Sequence, residues 1–394
     1  MGFLHIVNQM ANDRAFLRIS INFFSVFTIV SIVIPYMQVY LAGVGWGVDK
    51  IGILLAFVRG AGVFGPLFFS ILIRKGLSVR VLISVLSFFV IGLFLMLRHT
   101  AGFAGTAVIL FLFGFSFSVF IPFTDALANS SLPDPDRQYG RSRVFGTLGF
   151  LVPTAVYGIT GFPDYFPASS ILSVAIAALG FHLITVQFYP AAKLSPRAVN
   201  KAEGGLGLPF WGLLGLVFLN RISMAGHYSF FSLYLKETVG IERIGWFWLI
   251  GPMSEIPIIF LGGALLKRFP VPVLIGASFA AIAVRLAVYS FFPYFAPVMA
   301  VQFLHCFTFG TFQIAAIAGI RRAIGSENMT LGMAVYSGIG MELPAIIGSI
   351  GGGFLIAAVG YREFFGWISV IPVIGLLLIL LFRRFFFSHY LPER

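Results

Sequence analysis

The chain has 394 residues, 59% of them hydrophobic and only 10% charged, with a mean hydropathy of +0.98; a soluble domain is about 25% charged, so this composition belongs in the bilayer. The net charge of +12 is strung between apolar runs with no patch to track a phosphate backbone, which sets nucleic acid aside as a partner and leaves the basic residues as orientation signals. Cys306 is the single cysteine, so neither a disulfide framework nor a cysteine-based metal site is expected, and the absence of a G-x-x-x-x-G-K-[ST] loop argues against ATP hydrolysis within the chain.

Crossing the hydrocarbon core takes about 20 apolar residues per helix. Twelve runs qualify, at roughly 16–42, 50–73, 79–97, 101–127, 143–162, 168–189, 209–235, 244–266, 271–291, 294–320, 330–358 and 364–382. The stretch ahead of the first, MGFLHIVNQMANDR, is short and polar and does not resemble a cleavable signal peptide. In the second run Arg59 lies close to Gly60, Gly62 and Gly65, where helices can pack closely, and it reads as structural. Asp125 lies near the end of the fourth run and Arg143 opens the fifth, eighteen residues on across a tight loop. The two can pair directly, either as a latch at the membrane surface or as part of a solute site. Arg141 points to a different face and reads as a loop or headgroup contact; His182, in the sixth run, reads as packing.

The segment PAAKLSPRAVNKAEGGLGLP, 190–209, is the most polar internal stretch and divides the runs six and six. It sets out an N-terminal bundle over 1–190, a linker over 191–208 and a C-terminal bundle over 209–394. In the seventh run Asn220, Arg221, His227 and Tyr228 form one polar stretch that could touch solute. Trp246 and Trp248 open the eighth and read as interfacial anchors. Glu255 lies about eleven residues from either end of that run, so at ~1.5 Å per residue it is ~16 Å from each surface. Ionisable groups at that depth are functional hypotheses by default. Arg285 in the ninth run and His305 in the tenth are its candidate partners, against the alternative of a structural pair that locks two helices. Glu342 in the eleventh follows Gly338 and Gly340 and precedes Pro344, so that helix can be locally broken around a cavity. It is either a second proton site or a partner for Arg221 or Arg59.

Orientation follows from Lys and Arg in short loops. Arg74, Lys75, Arg80, Arg137, Arg141, Arg143, Lys193, Arg197, Lys201, Lys267, Arg268, Arg321 and Arg322 fall in alternate loops, and the ends add Arg14, Arg18, Arg383, Arg384 and Arg394. The opposite loops hold only Lys50, Arg98, Lys236, Arg243 and Arg362, which places both termini in the cytoplasm. A weak repeat relates GPLFFSILIRKG to LGGALLKRFP, at the end of the second run of each half. Two six-span halves of this kind form a transporter architecture with the solute near the midplane.

These residues resemble a known family. YGRSRVFGTLGF, at 139–150, resembles the F/Y-G-R-x-R-x-F/W-G-x-x-G-F/W element that opens the fifth helix of lactose permeases and of the phenylpropionate permease-like group, both in the major facilitator superfamily. AVRLAV, IGPMSEIPIIF and LHCFTFGTFQIAA extend the likeness over most of the chain. The resemblance implies an all-α membrane protein with twelve transmembrane helices in two six-helix halves. It implies that Asp125 and Arg143 bind solute, that Phe150 is the aromatic on which a solute ring stacks, and that Glu255, Arg285 and His305 form the binding and coupling network. Two departures stand out. The carboxylate that lactose permeases carry three residues after the histidine is Thr308 here, and the lysine three residues before it is Gln302. Coupling through that acid is therefore excluded, and if the chain is coupled Glu255 or Glu342 must serve. The loop motif G-x-L-x-D-R-x-G-R-R between the second and third helices appears as ILIRKGLSVR, without its aspartate.

The resulting expectation is a permease, not an enzyme, that moves a small polar or aromatic solute (a sugar, a nucleoside or an aromatic acid) by alternating access with proton symport. Substrate binding falls to Asp125, Arg143, Phe150, Arg285 and His305, and proton coupling to Glu255 and Glu342. No cofactor or metal is called for. The partners are the solute, protons and the lipid bilayer, and the chain acts as a monomer in a cytoplasmic (inner) membrane. An uncoupled facilitator or exporter of the same superfamily and a non-transporting receptor are the alternatives.

Overall fold

A computed structural model describes residues 14–132, 134–189, 206–325 and 328–390, and among these all regular structure is helical. Twelve long helices follow in chain order: α1 (Arg14–Gly43), α2 (Val48–Arg74), α3 (Val79–Leu97), α4 (Phe103–Ser131), α5 (Pro135–Thr160), α6 (Ser169–Val186), α7 (Leu208–Val239), α8 (Gly245–Arg268), α9 (Val271–Phe291), α10 (Phe295–Ile324), α11 (Leu331–Val359) and α12 (Tyr361–Leu381). A short α13 (Arg383–His389) closes the described chain. Each of the twelve apolar runs read from the sequence corresponds to one of α1 to α12. Most of the expected linker, with Lys193, Arg197 and Lys201, lies outside the described residues, as does Arg394.

Ten of these helices are long and apolar enough to cross a membrane, and α8 qualifies as a bent pair, Gly245–Ile258 and Phe260–Arg268, meeting at 60°. Pro252 and Pro257 inside α8 remove backbone donors and crowd the preceding turn, which accounts for the bend. In α5 the first turns carry Arg137, Arg141 and Arg143 before the apolar part begins, so it falls short of the same measure. Phe64, Leu67, Phe88, Phe260 and Leu381 each expose 60% or more of their surface. Apolar side chains left open on this scale are what a bilayer covers, and the protein is a multi-pass membrane protein.

By contacts the chain divides into two compact units, Met1–Trp46 with Phe57–Arg197 and Gly47–Ala56 with Ala198–Arg394. In the first, α1 packs along α5 and α6, and α3 packs against α4 and α6. The α1–α5 seam is close because a Cβ at Gly149 would lie 2.1 Å from the Phe24 carbonyl oxygen. Thr28 bridges the same spot, its hydroxyl donating to the carbonyls of Phe24 at 3.0 Å and Gly149 at 3.3 Å. α5 begins where Asp134 accepts from the Arg137 N–H at 3.2 Å and Pro135 takes the first turn, and it ends at Gly161 in the left-handed conformation, φ 71°. His182 is fully buried, 2.8 Å from the Ser25 hydroxyl and against the Phe120 ring, so it packs as expected.

In the second unit α7 packs on α10, α11 and α12, α9 on α10 and α12, and α8 on α10. Its apolar core gathers Phe210, Leu213, Val217, Val271, Ile275, Phe279, Phe312 and Ile320 where α7 and α9 begin and α10 ends. The polar residues of α7, α9 and α10 lie in a layer next to this core. Two of the helices are locally widened there, α10 over Cys306–Thr311 and α11 over Tyr336–Glu342, each as a π-helical stretch. Such insertions re-aim side chains and recur at functional sites.

Candidate functional site

The first unit brings Asp125 and Arg143 together. The tight turn between α4 and α5 leaves Arg143 Nε 3.7 Å from Asp125 Oδ1, with their side chains 33% and 31% exposed. Tyr139, one turn earlier on α5, donates its hydroxyl to the same carboxylate oxygen at 3.0 Å. The guanidinium lies over the Phe27 ring at 4.3 Å and the Phe23 ring at 5.2 Å, both from α1. Arg143 is therefore held flat by aromatics and only loosely by its acid, which leaves donors for another group. Phe150, seven residues further along the same face of α5, is only 7% exposed, so little of its ring is open in this state.

The second unit holds the larger constellation, centred on Arg285 of α9, which is 0% exposed. Its Nη1 donates to the Thr308 hydroxyl at 2.8 Å and to His305 Nδ1 at 3.4 Å. Its Nη2 donates to Gln302 Oε1 at 2.9 Å and the Tyr289 hydroxyl at 3.1 Å, and lies 3.3 Å from His227 Nε2. On its other edge His305 meets Glu255 of α8, Nε2 to Oε1 at 2.8 Å. The ring of Phe309 stacks on His305 at 5.8 Å and 2°. Arg221, 5% exposed on α7, donates from Nη2 to Asn220 Oδ1 at 2.9 Å and to the Thr308 carbonyl at 3.1 Å, under the Phe312 ring at 4.2 Å. Thr308 thus touches both arginines, one through its hydroxyl and one through its carbonyl.

This pattern assigns a tautomer to the imidazole of His305. An arginine has only donors, so His305 Nδ1 is assigned as the acceptor at this contact and the ring's hydrogen to Nε2, directed at Glu255. The sequence reading had Glu255 pairing with Arg285 or His305. The structure pairs it with His305, and Arg285 reaches it only through the imidazole. A proton added at Nδ1 removes the acceptor that Arg285 uses. A proton added to Glu255 removes the charge that strengthens the short Nε2 contact.

Some residues depart from the sequence reading. Trp248 is not an interfacial anchor; it is 6% exposed, donates its indole N–H to Ser232 Oγ at 2.9 Å and lies 5.8 Å from the His227 ring. Trp246, two residues earlier, is 37% exposed. Glu342 is half-buried and, among the described residues, makes no hydrogen bond or ion pair with either Arg221 or Arg59. The close packing expected around Arg59 is present: a Cβ at Gly65 would lie 2.2 Å from the Phe115 carbonyl oxygen of α4. His227 belongs to the Arg285 shell, a role the sequence reading left open. Depth alone does not signal it, since His227 falls nineteen residues after the start of α7 and Arg285 fourteen after the start of α9.

The profile of the MFS_1 like family matches residues 16–367. The chain is 30% identical over 365 residues to the probable 3-phenylpropionic acid transporter of Escherichia coli (strain K12), covering 90% of this chain and 94% of that one. It is 25% identical over 278 residues to the maltose permease of Geobacillus stearothermophilus, 68% of each. In fold it is similar to a crystal structure of a mutant form of the nucleoside transporter NupG, at a TM-score of 0.81 and 14% identity over 93% of this chain and 99% of that one.

Proposed function

The chain belongs to the MFS_1 like family, membrane transporters of the major facilitator superfamily, and from that premise we propose that it is a proton-coupled symporter of a small polar or aromatic solute. The observation that carries this reading is the chain Glu255–His305–Arg285, with contacts of 2.8 Å and 3.4 Å, in which one proton changes what the histidine can accept. Glu255 takes the coupled proton, directly or through His305, and Glu342 is the second candidate acid. Arg285 and His305 in one unit and Asp125, Arg143 and Phe150 in the other contribute to solute binding over an alternating-access cycle. The relatives name an aromatic acid, a sugar and nucleosides as solute classes to test.

The membrane is a cytoplasmic (inner) one, with both termini in the cytoplasm by the distribution of Lys and Arg, and the chain acts as a monomer without nucleic acid. The bundles are 1–190 and 209–394, joined by 191–208. A second reading, an uncoupled facilitator, is favoured by Thr308 standing where lactose permeases carry their carboxylate.

The test is proton movement in lightly buffered proteoliposomes as 3-phenylpropionate, uridine and maltose are added one at a time. Uptake of protons with one of them establishes symport and its solute class together. Labelled solute that exchanges while no proton moves would reject coupling and leave the facilitator.

A further inference from the structure

We infer that Arg221 is the seat for an anionic group of the solute, a carboxylate carried on an aromatic body. The inference rests on the transport reading above and deepens it by naming the chemistry recognised on α7. A guanidinium has five N–H donors. Nη2 of Arg221 is used, but Nε and Nη1, which carry three of the five, have no hydrogen-bond partner although the residue is 5% exposed. Among the described residues Arg221 also has no ion-pair partner. A buried cation with open donors is an expensive arrangement inside a membrane, and one that an incoming anion relieves.

The surroundings sharpen this. Arg285 is equally buried and its partners are all neutral groups: His227, Tyr289, Gln302, His305 and Thr308. The acid that reaches this layer, Glu255, is held by His305 at 2.8 Å. Two guanidiniums therefore meet at Thr308, and among the described residues neither is in contact with a carboxylate. Glu342 is the obvious competitor for the role. α11 packs on α7 to either side of it, Gly340 against Leu214 and Val217 and Gly348 against Ala225, so Glu342 lies near the level of Arg221 and still does not pair with it. The immediate walls of the guanidinium are the rings of Phe312 at 4.2 Å and Phe309 at 5.5 Å. That wall suits an aryl group beside the carboxylate better than a ring of hydroxyls.

The experiment measures binding to the purified full-length protein, separately from any proton movement, with benzoate, phenylacetate and 3-phenylpropionate, each against its primary amide. The expected result is that at least one acid binds about tenfold or more tighter than its amide, the weight of a charge-assisted hydrogen bond. Arg221→Gln brings the acid down to the level of the amide, and Arg221→Lys retains part of the preference. If Arg221→Gln does not fold, the wild-type protein still tests the idea: the acid raises its melting temperature and the amide does not. The inference is overturned if acid and amide bind alike in the wild type or if the preference survives in Arg221→Gln. Failure of symport would show instead as acid-selective binding without proton uptake.

Discussion

Replacing Glu255 by glutamine keeps the shape and an acceptor oxygen while removing the charge and the titration. In the structure that acceptor is 2.8 Å from His305 Nε2, with the two side chains only 17% and 11% exposed. A hydrogen bond to a charged group contributes about 1.5–3 kcal/mol and a neutral one about 1 kcal/mol, so the substitution weakens the contact by about 0.5–2 kcal/mol. That corresponds to a factor of about 2–30 in how firmly His305 is held. A merely structural pair would register such a loss as lower stability with coupling intact. A coupling acid would register it as loss of concentrative uptake under an imposed pH gradient, with solute exchange kept within about twofold. Both are read in the same proteoliposomes, by labelled solute accumulation with and without the gradient and by counterflow. If Glu255→Gln accumulates solute at the wild-type level across the pH range, Glu255 does not carry the coupled proton and Glu342→Gln becomes the variant to compare.

Arg143→Ala should fold, because its ion pair with Asp125 is a third exposed and such pairs contribute about 1 kcal/mol or less; solute affinity, measured by equilibrium binding, should fall about tenfold or more, and unchanged affinity would remove Arg143 from the site. Arg285→Ala should lower stability in detergent by about 3 kcal/mol or more, since Gln302, Tyr289, Thr308 and two histidines lose a buried partner at once; a melting curve that hardly moves would contradict the network. Gly149→Val places its side chain on the Phe24 carbonyl and should destabilise the α1–α5 seam by about 1–3 kcal/mol, seen as a lower melting temperature with α7–α12 contacts untouched.

The helices were legible because a bilayer demands long apolar runs, and a hydropathy count locates these almost regardless of packing. The Asp125–Arg143 pair was legible because a tight turn forces the end of one helix beside the start of the next. Glu255 and His305 were matched by depth alone, which names partners at one level but not the order in which they touch; Arg285 reaches the acid only through the imidazole. The tryptophans failed for a geometric reason. Trp246 and Trp248 are two residues apart, about 200° around a helix, so they cannot share a face, and the second turns inward to Ser232 and His227. The π-helical widening beside His305 and at Glu342 has no periodic signature to read, and it shapes the surroundings of both candidate acids.

Coupling requires that binding differ between loaded states. In the proposed cycle His305 provides that difference because its two nitrogens face groups with opposite needs, an arginine that only donates and a carboxylate that accepts. A proton arriving at Nδ1 would place a third cation in a layer where Arg221 and Arg285 already outnumber Glu255, so protonation without an anion is strongly disfavoured. An anion seated at Arg221 lifts that restriction, and the proton then enters at little electrostatic cost. Solute and proton would thus load together or not at all, and a monoanion with one proton would cross without net charge. Uptake should therefore follow the pH gradient and be indifferent to a potassium diffusion potential; uptake that doubles or more when the interior is made negative would show that more positive charge enters than this layer can account for.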